Sequence, residues 1–101
     1  MDYTYRAKLV RCVDGDTAVF DVDCGFHIQH RIYARLTGVD TPERGQPDYK
    51  KATAMLENLI AMQTDKEGYV VIHTGKTGKY GRWLVAIQEV NEVLAEKWPY
   101  E

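Results

Sequence analysis

Three separated stretches carry carboxylates and cations at spacings that could do chemistry: Asp14-Gly15-Asp16-Thr17, Arg35 through Glu43, and Lys76 through Arg82. In the first, Asp16 offers a carboxylate to a hard cation, which prefers oxygen ligands. Asp-Gly is equally a hairpin signal, and turn chemistry alone accounts for all four residues. The second stretch, Arg35-Leu36-Thr37-Gly38-Val39-Asp40-Thr41-Pro42-Glu43, runs off a strand into a proline-stiffened loop. It brings Asp40 and Glu43 close together. Two or three carboxylates (Asp16, Asp40, Glu43) converging on one place repel each other unless a cation sits among them. One could bind that cation while another serves as a base toward water. A solvated acidic loop leading into a helix is the alternative reading of the same residues. The third stretch, Lys76-Thr77-Gly78-Lys79-Tyr80-Gly81-Arg82, is a basic loop from which Arg82 could hold a phosphate oxygen in a two-pronged manner. It is not a Walker-type phosphate loop: the first glycine of that pattern would fall on Val70, and no helix clearly follows.

The elements that must position these residues follow from hydrophobic periodicity. Residues 5–13, 17–24 and 27–36 read as three strands. In the second, Phe20, Val22 and Cys24 share one face. In the third, Ile32, Ala34 and Leu36 share a face, and Arg31, Tyr33 and Arg35 take the other. Gly38, Pro42, Gly45 and Pro47 make residues 37–47 a loop. Asp48 then looks like an N-cap for a helix over 48–62, where Tyr49, Ala52, Met55, Leu56, Leu59 and Ile60 recur at helical spacing. Residues 69–73 and 83–88 read as two more strands, with 75–81 an exposed loop between them. A short terminal helix starts at Asn91, a good cap residue. Three strands, a helix, two strands and a helix is an α+β order compatible with a five-stranded barrel of the oligonucleotide-binding (OB-fold) type, carrying one long and one short packed helix.

Size and composition set bounds. The chain has 101 residues, enough for a single domain spanning 1–101. With 45% hydrophobic and 28% charged residues, it has the composition of a soluble globular domain. No stretch is apolar and long enough to span a bilayer, which argues against a membrane role. The start, Met1-Asp2-Tyr3-Thr4-Tyr5-Arg6, lacks the basic and apolar segments of a signal peptide, so the expected location is cytoplasmic, or secreted had a leader been removed. The net charge of −2 is not the footprint of a protein that coats nucleic acid. Attraction to such a substrate must come from a local basic cluster and a bound cation. Cys12 and Cys24 match no zinc spacing. They read as two small buried hydrophobes, or as a pair facing each other across a hairpin. His27 and His30, three apart on a strand, point to opposite faces and do not share an ion.

Taken together, Asp-Gly-Asp-Thr, then Arg-Leu-x-Gly-Val-Asp-x-Pro-Glu, then Tyr-Gly-Arg resemble the staphylococcal nuclease family in order and spacing, over residues 6 to 95. Arg44-Gly45-Gln46-Pro47 after the glutamate adds to the likeness. The resemblance implies a five-stranded barrel with packed helices. It implies that Asp16 and Asp40 hold Ca2+ through their carboxylates and Thr41 through its backbone carbonyl. Glu43 would orient or deprotonate the attacking water, Arg35 and Arg82 would grip the scissile phosphate, and Lys79 and Tyr80 would contact the nucleotide. The implied reaction is hydrolysis of DNA or RNA to 3′-phosphate ends. With so few protein ligands, calcium binding is expected at the loose end, roughly 10⁻⁴–10⁻³ M. The sequence departs from the family pattern twice. Gly78 stands where an aspartate is usual, four residues before the final arginine. The chain also stops at Trp98-Pro99-Tyr100-Glu101, short of a segment that carries a late tyrosine contact. Trp98 and Tyr100 could cover that gap, or mark a contact in a homodimer. The alternatives are a non-catalytic nucleic-acid-binding barrel and a protein-interaction domain.

Overall fold

A computed structural model describes residues 3–77 and 81–100. The chain forms strands β1 (Tyr3–Cys12), β2 (Thr17–Asp23) and β3 (Gln29–Leu36), helix α1 (Tyr49–Gln63), strands β4 (Val70–Thr77) and β5 (Trp83–Ala86), and helix α2 (Val90–Lys97). The strands close into a barrel in the order β1-β2-β3-β5-β4. The α+β class and the five-stranded barrel with a long and a short helix are therefore as expected from the sequence order. Every pairing is antiparallel except β3 with β5, because α1 and β4 carry the chain across between them. Closure rests on β1, whose ten residues pair with β2 on one side and β4 on the other. An irregularity between Leu9 and Arg11 lets this strand bend around the barrel.

Alternation on β3 places Ile32, Ala34 and Leu36 inside and leaves Arg31 and Tyr33 exposed. Phe20, Val22, Ile72 and Val85 fill the barrel, and Leu56 and Ile60 of α1 and Val90 and Leu94 of α2 join the same core. Burying each such side chain contributes about 1.5–3 kcal/mol. No helix among the described residues is long and apolar enough to cross a membrane.

Several boundaries differ from the sequence reading. β4 continues to Thr77, into residues expected to be loop, because Thr77 pairs with Trp83 of β5. β3 begins at Gln29 because Gly25, Phe26 and His27 all have positive φ and form the turn. Cys24 lies beyond β2 and is exposed, so it is not the buried residue expected; Cys12 is half-buried, and both thiols are free rather than paired. Burial, then the charges of Glu57 and Asp14, push the Cys12 thiol up to about 12. Asp48 does occupy the cap position of α1, but at φ 68° and without a side-chain cap bond. Asn91 is not the cap of α2, which starts one residue earlier. Its side chain instead accepts from the Ile87 N–H at 2.8 Å and donates to the carbonyls of Thr37 and Val85 at 2.9 and 3.1 Å. That amide ties the segment leaving β3 to β5 and α2, and so helps fix the loop that follows Arg35.

Candidate functional site

The β1–β2 turn, the loop after β3 and the start of α1 meet at one end of the barrel. The turn is closed by Val13 N–H donating to Thr17 O at 2.8 Å, and by the Asp16 N–H donating to Asp14 Oδ1 at 3.0 Å. Tyr49 of α1 reaches over to donate its hydroxyl to Val13 O at 2.9 Å. Gly15 is needed here for space rather than for backbone freedom. A Cβ at this position would stand 2.7 Å from both Ala52 Cβ and Thr41 Oγ1. The glycine thus lets the turn press against α1 and the Thr41 loop together.

Asp16 is 5% exposed and engaged on both oxygens. Oδ1 accepts from the Thr17 hydroxyl at 3.0 Å, and Oδ2 accepts from the Thr41 N–H at 3.0 Å. The Arg35 guanidinium lies 3.4 Å from Oδ2. Arg35 also donates to the carbonyls of Leu36 and Val39, at 2.9 and 2.6 Å, and its other nitrogen is 3.9 Å from Asp40 Oδ1. It therefore pins the loop and stands between the two carboxylates. Asp40 is exposed, and its N–H donates to Trp98 O at 2.9 Å. Glu43 is also exposed, on a turn where its N–H donates to Gln46 Oε1 at 2.7 Å.

The carboxylate that the structure couples to Asp16 is Asp14, which sequence reasoning passed over as part of a turn. Burial first, and then the hydrogen bond and charge shared with Asp16, push the Asp14 carboxyl up to about 6. The convergence expected of Asp16, Asp40 and Glu43 thus has a nearer partner two residues away. A second unread feature is the Thr41 hydroxyl, buried with no hydrogen-bond partner. A buried polar atom without a partner costs about 1–3 kcal/mol and commonly signals an ion or water that completes the site.

Arg82 shares a cavity with Arg35. Both line an open cavity of about 380 Å³ together with Leu36, Gly38, Leu84 and Tyr100. Tyr100 arrives there because the terminal segment pairs with the loop: Val39 bridges to Pro99, and the Tyr100 N–H donates to Gly38 O at 3.1 Å. Its ring centroid is 6.0 Å from the Arg35 guanidinium. Tyr100 thus lines the cavity, and the Trp98 carbonyl accepts from the Asp40 N–H beside it. Gly38 makes the sharp exit from β3 with φ 77°. Lys79 and Tyr80, expected to contact a nucleotide, lie outside the described residues, as does Gly78.

The donors available to a cation are Asp16, Asp40 and the oxygens of Thr41, all hard ligands suited to calcium rather than to a soft metal. Among the described residues no group of three or more His, Cys, Asp or Glu is arranged to hold a metal ion. A cation here would depend on backbone carbonyl and water for the rest of its shell. The unpartnered Thr41 hydroxyl, packed against Gly15 and Ala52, is a further oxygen on the same residue. No protein-family model matches the sequence, and no curated protein matches it.

Proposed function

We propose that this chain is a calcium-dependent nuclease of the staphylococcal nuclease type, hydrolysing phosphodiester bonds of DNA or RNA to leave 3′-phosphate ends. One observation carries the reading. Two arginines, Arg35 and Arg82, line a single open cavity, and the Arg35 guanidinium also lies 3.4 Å from the buried carboxylate of Asp16. Cations facing a cavity suit a phosphate, and carboxylates beside them suit a hard cation.

In this reading the phosphate enters the cavity with its non-bridging oxygens toward the two guanidinium groups. Asp16, Asp40 and the Thr41 carbonyl would hold the ion. When bound, calcium supplies positive charge against the charge that builds on the phosphate during attack. Glu43, exposed on the loop that follows Asp40, would take the proton from water as the water oxygen bonds to phosphorus. The bond from phosphorus to the 5′ oxygen breaks, that oxygen takes a proton from solvent and leaves as a 5′-hydroxyl, and the phosphate stays on the 3′ side. Arg35 enters the reaction already oriented, because two carbonyls and two carboxylates hold it. Preorganised charge of this kind is usually the largest catalytic contribution.

A second reading, a non-catalytic nucleic-acid-binding barrel, draws on one feature: Arg35 already offsets the Asp16 charge from 3.4 Å. Incubation with single-stranded and duplex DNA and with RNA, in calcium and in chelator, separates the two. Cleavage in calcium alone is the expected result. Salt-sensitive binding with no cleavage at any calcium concentration would favour the second reading and reject the first.

A further inference from the structure

The two ends of β2 are built differently. The β1–β2 turn packs against α1 and the Thr41 loop, whereas the β2–β3 turn, Cys24 to Ile28, lies at the far end of a seven-residue strand, about 23 Å away. Hydrogen bonds hold this far turn in shape. The Cys24 N–H donates to Ile28 O and the Ile28 N–H to Gly25 O, both at 2.9 Å, and the Gly25 N–H donates to Asp23 Oδ1 at 2.9 Å. Gly25, Phe26 and His27 are all left-handed, at φ 78°, 55° and 61°. A positive φ is uncommon for a side chain as bulky as phenylalanine. Phe26 is 94% exposed, so this turn holds its ring out in solvent.

An apolar cavity of about 200 Å³ lies at the same end of the barrel. Buried Val22 and Ile32 line it, with Tyr3, Tyr5, Trp83 and Cys24 among others. Gly75 of β4 is also part of the lining and adds no side chain to fill it. No residue of α1 or α2 lines it. An apolar cavity of about 150 Å³ accepts benzene, so this one has room for a phenyl ring. The Phe26 ring of the same chain does not fill it, being exposed. Yet Cys24, in the cavity lining, precedes Phe26 by only two residues, a reach of at most ~7 Å along the chain.

We propose that this end of the barrel is a self-association surface, on which two copies of the chain exchange Phe26 rings about a two-fold axis near Cys24. Each ring enters the other copy's cavity. Because ring and cavity are neighbours on one surface, the exchange closes on itself as a pair; a ring far from its cavity would instead build an open chain of copies. Charge favours a second copy as the occupant. Residues 24–30 contain no Lys, Arg, Asp or Glu in a chain that is 28% charged. Identical surfaces therefore meet there without like-charge repulsion, and nucleic acid or an anionic membrane finds no Lys or Arg among them. Area agrees. Phe26 at 94% exposure and Tyr3 at 58% offer about 300 Å² at ~200 Å² per aromatic side chain. That is about two-thirds of the ~450 Å² apolar share of a standard interface with ~800 Å² per partner, and Ile28, 56% exposed, adds to it. The pairing leaves the Asp16 end of each copy open, and it stands whether or not the nuclease reading holds.

Sedimentation equilibrium across a wide range of protein concentration tests it. Wild type should pass from monomer to dimer with a dissociation constant of about 1–100 μM, the weak end of the span for interfaces of this size, and form no larger species. Phe26→Asn removes the ring but keeps a residue that tolerates the left-handed turn, so the variant folds. It should weaken dimerisation at least about 30-fold, the loss of a central anchor. Met62→Ser, which removes an exposed apolar side chain from α1, should stay within about twofold of wild type. In Cys12→Ala protein a short bismaleimide should link Cys24 of one copy to Cys24 of the other, and the added Phe26→Asn change should abolish the link. Monomer alone up to ~1 mM, assemblies that grow past the dimer, or a dimer left intact by folded Phe26→Asn would each overturn the proposal. A dimer whose Cys24 thiols do not crosslink would overturn the exchange as well. So would binding of the monomer to neutral phosphatidylcholine vesicles that Phe26→Asn abolishes, which would make a lipid surface the partner.

Discussion

Asp16 and Glu43 belong to one candidate site but live in opposite surroundings. Asp16 is buried, bonded on both oxygens, and flanked by a turn that tolerates no extra carbon at Gly15. Glu43 is exposed on a turn braced through its backbone by Gln46. The proposed reaction gives the two sides different requirements. Buried charges repel or desolvate at a cost of several kcal/mol unless their partners are fixed, and around Asp16 they are fixed by Thr17, Thr41 and Arg35. In the proposed reaction Glu43 exchanges a proton with water, and its exposed loop gives it that access. The Arg35–Thr41 loop is accordingly held on three sides, by Asp16, by Asn91 and by the terminal strap of Trp98 to Tyr100. Substitutions on the two sides should therefore separate stability from turnover.

The largest effect on folding is expected from Arg35→Ala. It leaves Asp16 buried without its cation and two carbonyls without their donor, and should cost about 3 kcal/mol in denaturant unfolding. Cleavage should fall by about 10²–10³ as well. A variant as stable as wild type would show that the Asp16 side is not built around this ion pair. Next is Gly15→Ala, which forces a carbon against Ala52 and Thr41 and should cost about 1–3 kcal/mol. An unchanged melting temperature would mean that the turn and α1 are not in close contact.

Asp14→Asn is expected to act in the other direction. The Asp14 carboxyl is raised from 3.8 to about 6, so the folded state favours its protonated form. Wild type should then lose stability as pH rises from about 4 through about 6, and stay at the lower level above that. The amide keeps the acceptor for the Asp16 N–H, and should remove this loss, raising the melting temperature at neutral pH when no divalent ion is present. Parallel melting curves for the two proteins across that window would break the proposed coupling of Asp14 to Asp16. The smallest effect on folding belongs to Glu43→Gln, within about 0.5 kcal/mol of wild type because the side chain is exposed. Its turnover should nonetheless fall by about 10²–10³, the range for a lost acid–base or charge-stabilising group. A large drop in stability would place Glu43 on the built side of the site.

The barrel could be read along the chain because its strands alternate cleanly. Ile32, Ala34 and Leu36 are buried where period two puts them. The same local logic fails where distant segments decide. Residues 75–77 read as loop from glycine and lysine, yet pairing across to Trp83 makes them strand. Asn91 reads as a cap by residue type, but its amide is used to join Thr37, Val85 and Ile87, which no window around it contains. Within the site, Arg35, Asp40 and Arg82 could be picked out by type and spacing, while the pairing of Asp14 with Asp16, the orphaned hydroxyl of Thr41 and the return of Tyr100 could not. The Asp14 shift comes first from burial, and the other two depend on elements far apart in sequence meeting at one end of the barrel.

The central claim is that the Asp16 side holds a cation needed for cleavage. Calcium titration followed by thermal melting and by cleavage of single-stranded DNA, in wild type and Asp16→Asn, tests it most directly. Wild type should gain melting temperature and activity over the same roughly 10⁻⁴–10⁻³ M range, and Asp16→Asn should lose both responses while remaining folded. Cleavage that is independent of calcium, or a calcium response that survives in Asp16→Asn, would contradict it.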